Sequence, residues 1–187
     1  MTLLEMKKKI LGLIEELNPN SEVLTDDPDI ATKINDVINQ ILFELVRIKK
    51  LPKYVEFKVN KSDLIDFARI ERESGSEVYQ IAIVRGIDHD SKADGTVIKA
   101  LESGVIEIEF YAYPERITSE TNAKGYEFEL SNDVLEIMPY GVAADLLKSD
   151  ISSEYGRIYS TRFEDMKLQL DHRYNKPSIS CEGGVNV

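Results

Sequence analysis

At 187 residues and 42% hydrophobic content, the chain is long enough for one sizeable core or two small ones, which excludes disorder over most of its length. Its 34 Asp and Glu stand against 23 Lys and Arg, and the formal net charge of -11 argues against a protein that grips phosphates by releasing counterions. A single cysteine, Cys181, excludes an intrachain disulfide and a thiolate metal cluster, and fits a reducing cytoplasm.

The longest apolar runs, such as residues 81–84, fall far short of a membrane span. Lys7, Lys8 and Lys9 interrupt the apolar pattern of residues 1–17, so neither a signal peptide nor a transmembrane helix is expected. Thr2 and Glu5 match a capping box, which predicts a helix running to about Leu17. Asn18-Pro-Asn-Ser21 breaks it, and Asp27-Pro28 supplies an N-cap with proline at the first helical position. The helix that follows is the clearest element. Ile30, Ile34, Val37, Ile38, Ile41, Leu42, Leu45 and Val46 recur at helical spacing until Leu51-Pro52 ends the pattern.

From Tyr54 the period changes to two, with Val55, Phe57 and Val59 alternating with Tyr54, Glu56 and Lys58. Further strands are expected over 64–70, 77–85, 96–101, 105–113 and 126–130, separated by Ser74-Gly75, Asp94-Gly95 and Ser103-Gly104. Such short spacings favour antiparallel hairpins. Ile106, Ile108 and Phe110 share one face of their strand, and Glu107 and Glu109 share the other, which should be wet.

The helical period returns after Ser131-Asn-Asp133. Pro139 forces a kink or a restart, and Val142, Ala143, Leu146 and Leu147 form the next stripe. Ser152-Ser153 can cap a last helix with Tyr155, Ile158, Tyr159, Phe163, Met166 and Leu170 on one side, stopping near Arg173. Residues 175–187 hold little apolar area and a Gly183-Gly184 pair, and read as a free or partner-ordered tail. The expected fold is α+β. A four-helix bundle-like core is formed by residues 1–52 and 131–174, and residues 53–130 are an inserted antiparallel β segment. A single α+β domain with the helices laid on the sheet is the alternative.

Little in this sequence has the pattern of catalysis. His89 and His172 lie in different segments, and nothing places a serine or Cys181 beside either as a nucleophile. His172 near a helix C-terminus has a simpler role, complementing the carbonyl end of the helix. The loop Asp88-His-Asp-Ser-Lys-Ala-Asp-Gly95 is the best metal candidate. Counting from Asp90, however, it puts Lys92 at the third ligand position and Leu101 at the twelfth, where calcium needs a glutamate, so a solvated hairpin loop is expected. Phosphate-binding and dinucleotide glycine patterns are absent from the sequence. Glu107 with Glu109, or Glu127 with Glu129, are strand neighbours on a solvated face before they are an acid/base pair. Tyr111, Tyr113 and Tyr126 form an aromatic row suited to bases or to a protein interface, and the surrounding glutamates disfavour bases.

One resemblance is carried by the last third of the chain. Met138-Pro-Tyr-Gly-Val-Ala-Ala-Asp-Leu-Leu-Lys-Ser-Asp-Ile-Ser-Ser-Glu-Tyr-Gly-Arg157 resembles a segment of the tailed-bacteriophage head-to-tail adaptor (connector) proteins. The Tyr111-Ala-Tyr-Pro-Glu115 turn before it is similar too, as is Tyr159-Ser-Thr-Arg-Phe-Glu-Asp-Met-Lys-Leu-Gln-Leu170 after it. The resemblance implies a non-enzymatic subunit of a ring, usually dodecameric, that docks on the portal protein and presents a platform to a downstream tail or neck protein. DNA passes through its channel without specific contact. Such a protein needs no cofactor, metal or membrane, is assembled in the host cytoplasm and ends in the virion neck. In that family a C-terminal extension commonly reaches into the portal. The expected portal-binding residues are therefore Pro177, Ile179, Val185 and Val187 of the tail, with Arg157, Arg162 and Lys167 on the last helix. The large β insertion departs from compact members. A small-molecule or calcium-binding module built on that insertion is the alternative function.

Overall fold

The computed structural model describes residues 1–18, 24–92, 95–149 and 154–174. Helix α1 (Leu3–Leu13) opens with the capping box: Thr2 N–H donates to Glu5 Oε2 at 2.9 Å and Glu5 N–H to Thr2 Oγ1 at 3.2 Å. It stops one turn short of the expected Leu17. The chain turns at Glu15, whose φ of 61 lies in the left-handed region, and Asn18 N–H is drawn to Leu24 O at 2.9 Å. Helix α2 (Pro28–Lys49) starts where expected, with the Asp27 carboxylate accepting from Asp29 N–H and Ile30 N–H. It ends at Lys50, again at positive φ.

Strand β1 (Pro52–Val59) follows at once, then the three-residue β2 (Leu64–Asp66) and helix α3 (Phe67–Ser74). A continuous strand over 64–70 is therefore not formed. The Asp66 side chain caps Arg69 N–H at 2.9 Å, Ile70 is fully buried, and Gly75 at φ 67 closes the helix. Strands β3 (Val78–Gly86), β4 (His89–Lys92), β5 (Val97–Ala100) and β6 (Gly104–Ala112) complete the β part. Part of the Asp88 to Gly95 stretch, expected as a loop, is thus the strand β4 paired with β5. Two antiparallel three-stranded sheets result, ordered β1-β6-β3 and β2-β5-β4. Their inward side chains, including Phe57, Ile65, Ile98, Ile106, Ile108 and Phe110, form one buried cluster with Ile70 of α3.

After β6 the chain runs through residues 113–131 without regular secondary structure. The strand expected over 126–130 is a single bridge between Glu127 and Thr2. Its backbone pairs with the start of α1 instead, through Leu3 N–H to Tyr126 O at 3.0 Å and Phe128 N–H to Met1 O at 3.4 Å. Helix α4 (Asn132–Leu135) is one turn long, and α5 (Met138–Leu146) restarts with Pro139 in its first turn. A 3-10 turn (Leu147–Ser149) leads toward α6 (Glu154–Tyr174). The expected Ser152-Ser153 cap lies outside the described residues.

Helix α5 touches α1, α2 and α6, which makes it the centre of the helical layer. Its approach to α6 is close: a Cβ on Gly141 would stand 2.8 Å from the Phe163 ring. The second buried cluster fills this layer with Leu3, Met6, Ile10, Ile38, Leu42, Leu45, Val142 and Phe163. Ile117, Phe128 and Leu130 belong to it as well, although they precede Ser131 in the stretch read as β. The protein is thus a mixed α+β fold with two antiparallel sheets and two apolar clusters. Among the described residues, no helix is long and apolar enough to cross a membrane.

Candidate functional site

Helix α6 carries the charged residues expected to dock, and its apolar residues fix which way they face. Phe163 and Leu170 are buried against α2 and α5, while Tyr155, Ile158 and Leu168 remain exposed. Tyr159 ties the helix to α1 by donating its hydroxyl proton to Leu13 O at 2.8 Å. Burial pushes the Tyr159 phenol up from its ordinary range, with smaller contributions from Tyr155, Glu15 and Tyr140.

Arg157 and Arg162 come together on one groove of about 410 Å³, walled also by Ile158, Thr161, Asp165 and Met166. Arg157 is 81% exposed and reaches Glu154 at 3.6 Å, a weak surface pair. Arg162 lies over the Tyr140 ring, 4.4 Å from its centroid, and also lines a second groove of about 390 Å³ with Lys9, Leu13, Pro139 and Met166. Lys167 is placed differently. Only 19% of its side chain is exposed, and its ammonium is held by Glu44 of α2 at 2.6 Å and Glu164 at 2.7 Å. Burial pulls the Lys167 pKa down, but the hydrogen bonds that its ammonium donates to Glu164 and Glu44 outweigh it and leave the pKa raised. Lys167 therefore fastens α6 to α2 and is spent inside the fold. Pro177, Ile179, Val185 and Val187 lie outside the described residues.

The other sequence candidates separate. His89 sits in β4, its Nδ1 3.0 Å from Ile87 O, and the His172 side chain is outside the described residues. Among the described residues, no group of three or more His, Cys, Asp and Glu could hold a metal ion. Glu107 and Glu109 both face Arg85, at 3.2 and 3.5 Å, which is an ion-pair arrangement, with Glu107 partly exposed and Glu109 mostly buried. Tyr126 leaves the aromatic row: its hydroxyl donates to Glu115 O at 3.1 Å, and burial, aided by Glu129 and Glu115, raises its pKa to about 12.

One cluster contains Tyr111 and Tyr113 of the expected aromatic row, while its other members are far apart in the chain and carry no common sequence signal. At the C-terminal end of α2, Phe43 and Tyr113 have ring centroids 4.8 Å apart, and Tyr79 packs on Tyr113 at 4.9 Å. Arg47 donates to the Tyr113 hydroxyl from Nε at 2.8 Å and from Nη2, while Lys50 lies 5.4 Å from the Tyr111 centroid and Arg116 4.9 Å from that of Phe43. Tyr79 donates to Val46 O at 3.1 Å, and burial, with Tyr111 and Tyr113 adding to it, lifts its pKa to about 12. These contacts tie β3 and the end of β6 to helix α2. The available signal was the alternation that put Tyr79, Tyr111 and Tyr113 near strand ends.

No protein-family model matches this chain. Nor does any curated protein match it.

Proposed function

We propose that this chain is a non-enzymatic structural subunit of a phage head-to-tail connector, forming a homo-oligomeric ring, of twelve copies in the resembled family. The ring docks on the portal protein and offers a platform to the next tail or neck protein. It would be assembled in the host cytoplasm and reside in the virion neck. One observation carries the reading. The segment that resembles the adaptor family forms α5 and α6, where α5 organises the helical layer and α6 leaves Tyr155, Ile158 and Leu168 uncovered. Exposed large apolar residues beside Arg157 and Arg162 fit a helix that meets protein.

In this reading α1, α2, α5 and α6 act as a four-helix bundle-like core, and residues 53–130 as an inserted β domain. The tail residues Pro177, Ile179, Val185 and Val187 anchor the ring in the portal, with Arg157 and Arg162 as the adjoining surface. Acidic excess has a physical use there, because a negatively charged wall lets DNA pass without adhering. Electron microscopy of the purified chain, alone and mixed with a portal protein, tests the proposal. Rings or portal-bound crowns are expected, and a chain that forms neither refutes it.

A further inference from the structure

The two sheets end in four edge strands, and three of them are blunted. Strand β3 carries register shifts between Val78 and Gln80 and between Ile81 and Ile83, while β2 has three residues and β4 four. Strand β1 is different. All eight of its residues pair in unbroken register with β6 on one side, and among the described residues it has no strand on the other. The N–H and C=O groups that alternate residues turn toward that side are a template for one more strand. The side chains along this edge are also unanswered. Glu56 stands directly opposite Glu107, and Arg85 answers Glu107 and Glu109 but not Glu56. Glu56 and Lys58 are both exposed, and neither makes an ion pair among the described residues. Val55 packs on the buried β cluster yet is itself only half-buried.

An added strand that answers Glu56 must bring a cation beside it, and β1 itself does so. Paired antiparallel about Phe57, two copies of β1 set Glu56 of each opposite Lys58 of the other and Val55 opposite Val59, with the apolar side chains continuing on one face. Moving the centre one residue either way, the nearest registers that keep the apolar faces aligned, sets Glu56 against Glu56 or Lys58 against Lys58. The pairing about Phe57 also holds whichever alternate residues turn their backbone outward, since 55, 57 and 59 pair among themselves and 56 pairs with 58. Arg69 already lies over the Phe57 ring, 5.2 Å from its centroid, so the added cover falls on Val55 and on the backbone groups. We propose that the open edge of β1 pairs with β1 of a second copy of the chain, joining the two β1-β6-β3 sheets into one. The bulged β3 edges then stand at both ends, so growth stops at two copies. One strand from each copy makes the pairing weak, concentration-dependent and salt-sensitive. It does not rest on the adaptor reading, because a chain that closes no ring can still pair at β1.

Cysteine pairing in the full chain tests both the contact and its register. In a Cys181→Ser background, the Glu56→Cys and Lys58→Cys chains are oxidised mildly at low salt, each alone and the two mixed. Residues directly opposite stand about 4.5–5.5 Å apart at Cβ and diagonal neighbours about 7–8 Å, so the mixed disulfide should exceed either homodimer several-fold, beyond what random pairing gives. A Thr32→Cys control on the exposed side of α2 should not cross-link. Sedimentation equilibrium of the chain without added cysteines reads the charges. Glu56→Lys and Lys58→Glu should each weaken association several-fold, and mixing the two variants, or combining them in one chain, should restore it. Circular dichroism melts confirm that each variant is folded. A mixed disulfide no more abundant than random pairing, or association indifferent to the charge reversals, overturns the proposal. So does a purified chain that stays monomeric, which would leave the β1 edge to a foreign strand.

Discussion

Asn39 grips the backbone of Ile117 with both ends of its amide: Nδ2 donates to Ile117 O at 2.7 Å, and Ile117 N–H donates to Oδ1 at 2.9 Å. Among the described residues Asn39 and Thr25 are the buried polar ones, and the Asn39 contact spans 78 positions of sequence. It replaces the strand partner that an irregular segment lacks, and so satisfies two backbone groups that burial would otherwise leave unpaired. Asn39→Leu should cost about 2–4 kcal/mol, because a buried donor and acceptor are orphaned together. Asn39→Asp keeps the acceptor for Ile117 N–H but sets a carboxylate oxygen against Ile117 O, so it should not rescue stability at neutral pH. Urea denaturation midpoints of the three proteins check this, and unchanged midpoints would mean that Ile117 is held by its packing alone.

The contact of Gly141 with Phe163 predicts a different kind of loss. A methyl group at Gly141 would meet the Phe163 ring at 2.8–3.1 Å, inside van der Waals contact. Alanine is the better helix former by about 1 kcal/mol, yet overpacking of a filled core costs about 1–3 kcal/mol, so Gly141→Ala should destabilise or at best break even. The decisive measurement is the double-mutant cycle. Gly141→Ala should be less harmful in a Phe163→Leu background than in the wild type, and strict additivity would place the two side chains out of contact.

Lys167 makes stability depend on pH in a definite sense. Its pKa is raised in the fold, so the stabilisation is fully present below the ordinary lysine range and is lost as pH rises through the higher folded value. Lys167→Met should lower stability by about 0.5–1 kcal/mol at pH 7, since both carboxylate partners are partly exposed. The gap between variant and wild type should narrow as the solution passes pH 10.5. A gap that is constant to high pH would assign the effect to packing of the lysine stem on Phe163.

The legible parts of this fold are those whose chemistry is local. The Thr2 and Glu5 capping box and the Asp27-Pro28 start require residues within one turn, and both form as the sequence dictates. Alternation in β6 likewise assigned Ile106, Ile108 and Phe110 to the core, whereas on the opposite face, expected to be wet, Glu107 is half-buried and Glu109 is mostly buried against Arg85. Alternation misled over residues 126–130, because it records which side chains are buried and not what the backbone pairs with. Phe128 is buried in the helical cluster while the backbone bonds to the N-terminus of the chain. At the candidate docking helix, the sequence placed Lys167 with Arg157 and Arg162 by charge alone. Only the position of Glu44, on a helix more than a hundred residues earlier, turns that lysine inward.

These packing relationships decide where the β part can be cut away. Every buried member of the β cluster lies between Phe57 and Ala112, whereas Ile117, Phe128 and Leu130 are buried with the helices. Joining Leu51 to Ser131 by a short glycine-serine linker therefore strips three core side chains at about 2–5 kcal/mol each, which matches the whole stability of an ordinary domain, about 5–15 kcal/mol. A join from Leu51 to Tyr113 avoids that loss. The two ends are already adjacent, with Ala112 N–H donating to Leu51 O at 3.4 Å, so the linker need span almost nothing. Phe43 and Arg47 keep their contacts with Tyr113, Asn39 keeps Ile117, and Tyr79 is the one partly buried contributor that the helical cluster gives up. We predict that the chain joined at 51 and 113 is helical by circular dichroism and melts cooperatively, while the chain joined at 51 and 131 does not. If both joined chains are unfolded, the Tyr79 contacts with Val46 and Tyr113 bind the sheets and helices into one inseparable unit. If both fold, residues 113–130 are dispensable to the helical core and the burial of Ile117, Phe128 and Leu130 carries little of its stability.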